Sequence, residues 1–444
     1  LNFMDIEFLL EQEIIQRREE GCEVIELERL YNSARLKSPS EKIGEYEKIY
    51  QELEKLLPAK DFPFQEPSGW EEIRACRPSA AQPPRKYFPE EILFDKIYGA
   101  WLGRCAGCLL GKPVEGWPRS KIESYLEYAG ETSLNNYFPK IYPLPSGFEF
   151  HSSVQTEGLR GEINYALRDD DLDYTILGLH ILEEHGIDFS SQDIANEWLS
   201  HLPYSLVYTA ERVAYRNLVN GIKPPFSASY RNPYREWIGA QIRADIWGYV
   251  APGLPEVAAE FAYRDAVVSH MKNGIYGEIW VSAMLAAAFV TNDLYEVINY
   301  GLSEIPRNCR LAKAIKTVLR IKEDIQDWDR AWQKVIEKYG SYNSIHTINN
   351  ALLVLLGLLY GEGDYEKAIT LSVRGGLDAD CNGATAGSLM GAILGAQALP
   401  EKWISPLNDK VKSIVTGYND CRISLLADRT LKLAKQVLAS YILQ

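Results

Sequence analysis

Tyr98-Gly99-Ala100-Trp101-Leu102-Gly103-Arg104-Cys105-Ala106-Gly107-Cys108-Leu109-Leu110-Gly111 carries a glycine at every fourth position. Four-residue steps line one face of an α-helix. Each glycine weakens an isolated helix by roughly 1 kcal/mol against alanine, so a stripe of them needs a reason. Close contact with another helix supplies it. Gly387, Gly391 and Gly395 repeat the step near the other end of the chain. The two stripes predict two helices that cross each other. From Pro89 onward helix-like patterns follow one another and strand-like alternation is scarce, which predicts an all-α fold.

Two acidic clusters lie beside these stripes. Asp169-Asp170-Asp171 opens an apolar helix expected to run to about His185 and stop at Gly186. An acidic N-cap accounts for one or two aspartates, each worth ~0.3–1 kcal/mol through the helix dipole. Three adjacent carboxylates repel one another, so capping alone is a poor account. The second cluster is Asp378-Ala379-Asp380, inside Arg374-Gly375-Gly376-Leu377-Asp378-Ala379-Asp380-Cys381-Asn382-Gly383-Ala384. An extended segment turns Asp378 and Asp380 the same way; an Asx turn is the plain alternative. One cation shared between the clusters relieves the cost of grouping buried charge. Oxygen ligands favour magnesium, calcium or manganese over zinc. Cys105-x-x-Cys108 has no second Cys/His pair nearby and is expected to be helix packing. Glu115 follows a helix end and a proline and is expected to point into a pocket.

The chain has 444 residues, 46% hydrophobic and 24% charged, with a formal charge of −14. That balance argues against a nucleic-acid groove. No apolar run approaches the ~20 residues of a membrane span. Seven cysteines and an acidic start without a leader predict reduced thiols and a cytoplasmic location. Residues 1–60 are expected to be a helical extension, for packing, self-association or an unknown partner. Repeated prolines from Pro58 to Pro89 predict a linker over 61–92, and 93–444 form the main domain. Glu131 to Arg168 is long for a connection, which suits a lid or binding loop. Pro224 to Pro255 interleaves Tyr230, Trp237, Trp247 and Tyr249 with Arg231, Arg235 and Arg243, suited to an anionic ligand or to plain packing.

Taken in order, these segments resemble the ADP-ribosylglycohydrolase family. The pattern is a glycine-striped helix ending in Pro-x-Glu (Pro113 to Glu115), a Thr-Asp-Asp-type helix start, and a late Asp-Thr-Asp-Thr-Asn segment. Ser269-His270-Met271-Lys272-Asn273-Gly274-Ile275-Tyr276-Gly277 is similar to the family's Thr-His stretch. The resemblance covers roughly residues 93 to 400. It implies a compact, orthogonal multi-helix bundle with two magnesium ions, or manganese, at the bottom of an ADP-ribose cleft. Carried over, the metal ligands are Asp169, Asp170, Asp171, Asp378, Asp380 and Cys381. Cys381 stands where the family has a threonine, and Cys108 where it has an aspartate. The implied catalytic residues are Glu115 and Asp170. His270, Asn273, Gly274, Ile275, Tyr276 and Gly277 are expected to bind substrate through backbone amides near a phosphate. Asn350 is expected to be structural, with a ribose contact as the alternative.

The implied activity is hydrolysis of an N- or O-glycosidic bond of an ADP-ribosyl or related ribosyl substrate. Two alternatives stand beside it: a hydrolase of a free nucleoside or small ribosyl metabolite, and a non-catalytic ADP-ribose-binding module. No nucleic-acid or membrane partner is expected.

Overall fold

The computed structural model of the protein describes residues 5–78, 83, 88–150, 154 and 156–442. Among these are 21 α-helices and one small sheet, in which Lys410–Lys412 pairs antiparallel with Asp420–Arg422. The expected all-α architecture is what forms. No helix among the described residues is long and apolar enough to cross a membrane.

The helices Glu90–Gly111 and Ala379–Leu394 form the spine. They run antiparallel, with Gly99 facing Gly391, Gly103 facing Gly387, Gly107 facing Gly383 and Gly111 facing Ala379. A Cβ on any of these four glycines of the first helix would come within 3.0 Å of the opposite backbone. The contact therefore continues from Gly99 to Gly111, about 18 Å of helix axis, rather than at one crossing. Gly383 belongs to the stripe. Gly395, which shares its spacing, instead caps the helix with φ 84°.

Two further helices, Asn273–Ala288 and Thr347–Gly361, are buried along every residue. Their sequences are apolar on all sides, the pattern of a core helix. The C-terminal helix Ile423–Ile442 lies on the spine, where Trp101 Nε1 donates to Thr430 Oγ1 at 3.1 Å.

Residues 1–60 supply three helices, Ile6–Glu19, Ile25–Ala34 and Pro39–Leu53. Leu10, Ile14, Ile49 and Leu53 share an apolar cluster with Ala210, Val213, Tyr234 and Trp237 of the main domain. Buried Arg235 clamps the seam, donating to Glu13 at 2.7 Å and Glu20 at 2.8 Å. The proline-rich stretch is docked as well. It contains a short helix, Trp70–Cys76, and Glu66 pairs with Arg310 at 2.7 Å. Residues 79–82 and 84–87 of that stretch lie outside the described set.

The arginines of the 224–255 segment turn inward. Arg231 pairs with Glu47, and Arg243 bonds Asp265 and Glu211, both at 2.8 Å. Their charges are met by the chain's own carboxylates, so packing, not an anionic ligand, accounts for this segment. The 131–168 connection is irregular and packs its aromatics. Phe150 stacks on Trp117 at 5.7 Å, and Phe148 meets Tyr125 edge-on at 5.3 Å. Residues 151–153 and 155 lie outside the described set.

Candidate metal centre

The first cluster begins as a helix cap. Asp169 is the N-cap of Asp170–His185 and accepts from Asp171 N at 3.0 Å. Its other oxygen is ion-paired with Lys112, which is 3% exposed. Lys112 sits in the single 3-10 turn that ends the glycine helix. Burial alone would raise the Asp169 carboxyl. The Lys112 ammonium outweighs it and holds the group at about 2.

Arg104, fully buried, fixes this helix start to the spine. Its guanidinium donates to Asp171 O at 2.7 Å, Thr175 Oγ1 at 3.0 Å and Ile242 O at 2.6 Å, and pairs with Asp245 at 2.8 Å. Asp171 therefore cannot drift from the glycine helix without breaking a buried network.

The second cluster is delivered by a tight turn. Gly376 has φ 79°, and a Cβ there would lie 2.9 Å from both Arg119 N and Trp117 O. Leu377 follows in the left-handed region at φ 61°, a costly conformation for a branched side chain. Gly116 N donates to Leu377 O at 2.9 Å and holds the turn. Asp378 is then the N-cap of Ala379–Leu394, with Asp380 in its first turn. The pair is thus presented by a helix start, not by the extended segment expected from the sequence. Asn350 Oδ1 accepts from Asp378 N at 3.1 Å and Asn382 Nδ2 at 2.9 Å. That is the structural role expected of Asn350.

The two helix starts meet. Cys108, Asp169 and Asp171 bring ligand atoms within 4.8 Å of one another, as do Asp171, Asp380 and Cys381, and Glu115, Asp378 and Asp380. Asp171 and Asp380 each belong to two of these groups, so the three sets are one continuous centre. Asp170 is half-buried at its edge. Burial, followed by the charge of Asp169, pushes its carboxyl well up. Glu115 is raised by burial, Asp380 and Asp169; Asp171 by burial, Asp169 and Asp380; Asp378 by burial, Asp380 and Glu115. Asp380 is raised to about 6 by burial and Asp169.

Both oxygens of Asp171 and Oδ1 of Asp380 are buried without a hydrogen-bond partner. Orphaned carboxylate oxygens facing one another are what a hard dication satisfies, so the residues present fit one. The Cys108 and Cys381 thiols are pushed far up by burial and the neighbouring carboxylates. Carboxylate oxygens outnumber the two thiols in the donor set. Cys108 nonetheless stands in the centre, whereas its sequence spacing predicts mere packing.

The 269–277 stretch makes its own set of polar contacts. Helix Asn273–Ala288 begins with Asn273, whose N and Nδ2 donate to Glu236 at 3.0 and 2.9 Å. Glu236 also pairs with Arg310 at 2.7 Å. Tyr276 donates to Pro67 O, and His270 Nδ1 lies 2.8 Å from Ser269 Oγ. Gly274 packs against Arg235 O and Gly277 against Thr347, while Ile275 is fully buried. Among the described contacts, none joins these six residues to the aspartates. The positive end of this helix is occupied by the chain's own Glu236.

Sequence reasoning missed Lys112 and Arg104, which tie the acidic helix start to the glycine helix. The signal for Arg104 was available: a lone charge inside an apolar, glycine-striped helix needs a buried partner. Lys112 lies within the Gly103-to-Glu115 motif, but nothing local names Asp169 as its partner.

The sequence model of the ADP-ribosylglycohydrolase family matches residues 89–439. An uncharacterized protein of Archaeoglobus fulgidus is 23% identical over 321 residues, covering 71% of this chain and 92% of its own. A solved structure described as an ADP-ribosylglycohydrolase-related protein complex covers 78% of this chain and 99% of its own, at 18% identity and a TM-score of 0.49.

Proposed function

The chain belongs to the ADP-ribosylglycohydrolase family, and from that premise we propose a metal-dependent hydrolase of an N- or O-glycosidic bond at C1″ of an ADP-ribosyl or related ribosyl substrate. The observation that carries it is the convergence of Asp171 and Asp380, with buried oxygens that accept no hydrogen bond, at the meeting of two helix starts. Magnesium or manganese is the cation this oxygen set suits. Bound there, it supplies charge to hold ribose hydroxyls and to acidify a water. Lys112 already neutralises Asp169, which favours one dication over the two that the resemblance implies.

The acid–base work falls to Glu115 and Asp170. Glycosidic cleavage passes through an oxocarbenium-like state and needs one carboxyl to protonate the leaving group and another to take a proton from water. Glu115, raised by burial, Asp380 and Asp169, is one of the two. Asp170, likewise half-buried and raised by burial and Asp169, shares that work with it. Asp171, Asp378 and Asp380 would hold the cation, and Arg104 keeps Asp171 in place.

Asp170→Asn tests this assignment. Turnover of ADP-ribosyl-arginine or ADP-ribosyl-serine in magnesium should vanish while the circular dichroism of the fold persists. Unchanged turnover in that variant overturns the carboxylate-centred mechanism. Cys108 and Cys381 favour a second reading, a subgroup that cleaves a free nucleoside or small ribosyl metabolite; release of base in the same assay identifies it.

The domain boundaries 1–60, 61–92 and 93–444 are part of the proposal, with the extension docked rather than free. All seven cysteines are free, in keeping with a reducing compartment such as the cytoplasm.

A further inference from the structure

The chain has six histidines, and three of them gather around one carboxylate far from the aspartates. His180 Nε2 lies 3.2 Å from Glu197 Oε2, and His201 Nδ1 lies 2.9 Å from the same oxygen. His185 Nε2 takes the other oxygen, Oε1, at 2.9 Å. The ring centroids of His180 and His201 are 4.4 Å apart. His180 is ten residues beyond Asp170 on one helix, about 15 Å along the axis, so the cluster is separate from the carboxylate centre.

We propose that His180, Glu197 and His201 bind one zinc-class dication. Their ligand atoms all lie within 4.8 Å of one another. Zinc with ligands at about 2.0–2.2 Å in a tetrahedron sets neighbouring ligand atoms about 3.3 Å apart, near the His180 and His201 separations from Glu197. Two imidazoles and one carboxylate select zinc, cobalt or copper over magnesium. The outer groups that orient such ligands are present. Tyr418 OH lies 3.2 Å from His180 Nδ1, and Arg429 donates to that hydroxyl at 2.8 Å. An Nδ1–H pointing at Tyr418 leaves the Nε2 lone pair facing Glu197 and the cation. His185 steers the carboxylate from its far side.

Occupancy would join helix Asp170–His185 to helix Ser191–His201 and, through Tyr418, to the turn between the two strands. It would brace the far end of the helix whose start presents Asp170 and Asp171.

The test is cobalt titration of the chelator-stripped full-length protein. Tetrahedral cobalt on imidazole absorbs strongly in the visible, whereas carboxylate-held octahedral cobalt absorbs weakly, so the readout separates the two centres. One equivalent should develop the strong bands, and zinc should displace them. His180→Ala/His201→Ala should abolish the bands, and Tyr418→Phe should weaken cobalt binding roughly 10-fold. Should the double variant fail to fold, Glu197→Gln, which keeps the side chain's size and polarity, must also lose the bands. Absence of strong bands in the wild type, or their persistence in Glu197→Gln, overturns the site.

Discussion

Lys112 is ion-paired with Asp169 inside the ring of acids, both side chains almost fully buried. The ammonium feels Asp169, Cys108 and Asp380, and neutralises Asp169, whose side chain also caps its helix. The charge of Asp169 is thereby matched from within the chain.

Lys112→Met should leave a buried carboxylate unpaired. Breaking one side of such a pair costs about 3–5 kcal/mol, read as a lower urea midpoint at pH 7. The wild-type Asp169 carboxyl is held at about 2 against an ordinary 3.8. Its contribution is therefore present above pH 3.8 and lost as pH falls toward 2, where variant and wild type should converge. Saturating magnesium should narrow the gap at pH 7.

Gly107→Ala should destabilise. The new Cβ would press on Gly383 O in the helix opposite, an overpacking cost of about 1–3 kcal/mol. Gly44 lies exposed within Pro39–Leu53, and a Cβ there meets nothing within 4 Å. Gly44→Ala should stabilise by roughly 0.5–1 kcal/mol through helix propensity alone. Calorimetry of both variants checks the contrast in sign.

Arg235→Met should loosen the N-terminal extension. It strands Glu13 and Glu20 at the seam. Burial would raise Glu20; Arg235 and Lys272 hold it at about 2. Limited proteolysis should cut within residues 1–60 many times faster than in the wild type, while the helical signal of the main domain is retained.

Two opposed titrations should shape the pH profile. Burial and the charge of Glu236 raise Glu19 from 4.5 to about 8, while burial lowers His346 from 6.5 to about 3. Their side chains lie 3.8 Å apart. The raised carboxyl stabilises fully below pH 4.5 and loses that contribution as pH rises through 8. The depressed imidazole stabilises fully above pH 6.5 and loses its contribution as pH falls through 3. Glu19→Gln should flatten the alkaline side of a melting-temperature profile from pH 4 to 9, leaving the acid side unchanged.

Much of the centre was legible because its signals are local. Glycine at four-residue steps in two places specifies two helices that must touch, and the structure joins them glycine to glycine. Three adjacent aspartates, and two more after a Gly-Gly pair, mark helix starts with surplus negative charge. Other features were illegible because they depend on what lies opposite. Cys108 has the same local surroundings as Cys105, yet only Cys108 faces Asp169 and Asp171. The helix start at Asn273 suits an anion on local grounds, but Glu236, distant in sequence, fills it. Arg231, Arg235 and Arg243 read as ligand-seeking until Glu47, Glu13, Glu20, Asp265 and Glu211 fold onto them.

The sequence by itself therefore determined the all-α class, the helix-to-helix spine, the family and the two acidic helix starts. Periodicity, glycine spacing and charge density act over a few residues, and a few residues suffice to express them. Only the tertiary structure decided which charges cancel: Lys112 with Asp169, Arg104 with Asp171 and Asp245, Glu236 at the Asn273 helix. It likewise decided which carboxylate oxygens are buried without a hydrogen bond. Those pairings join residues far apart in the chain, and in a buried interior the energy of a charge is set by its neighbours in space.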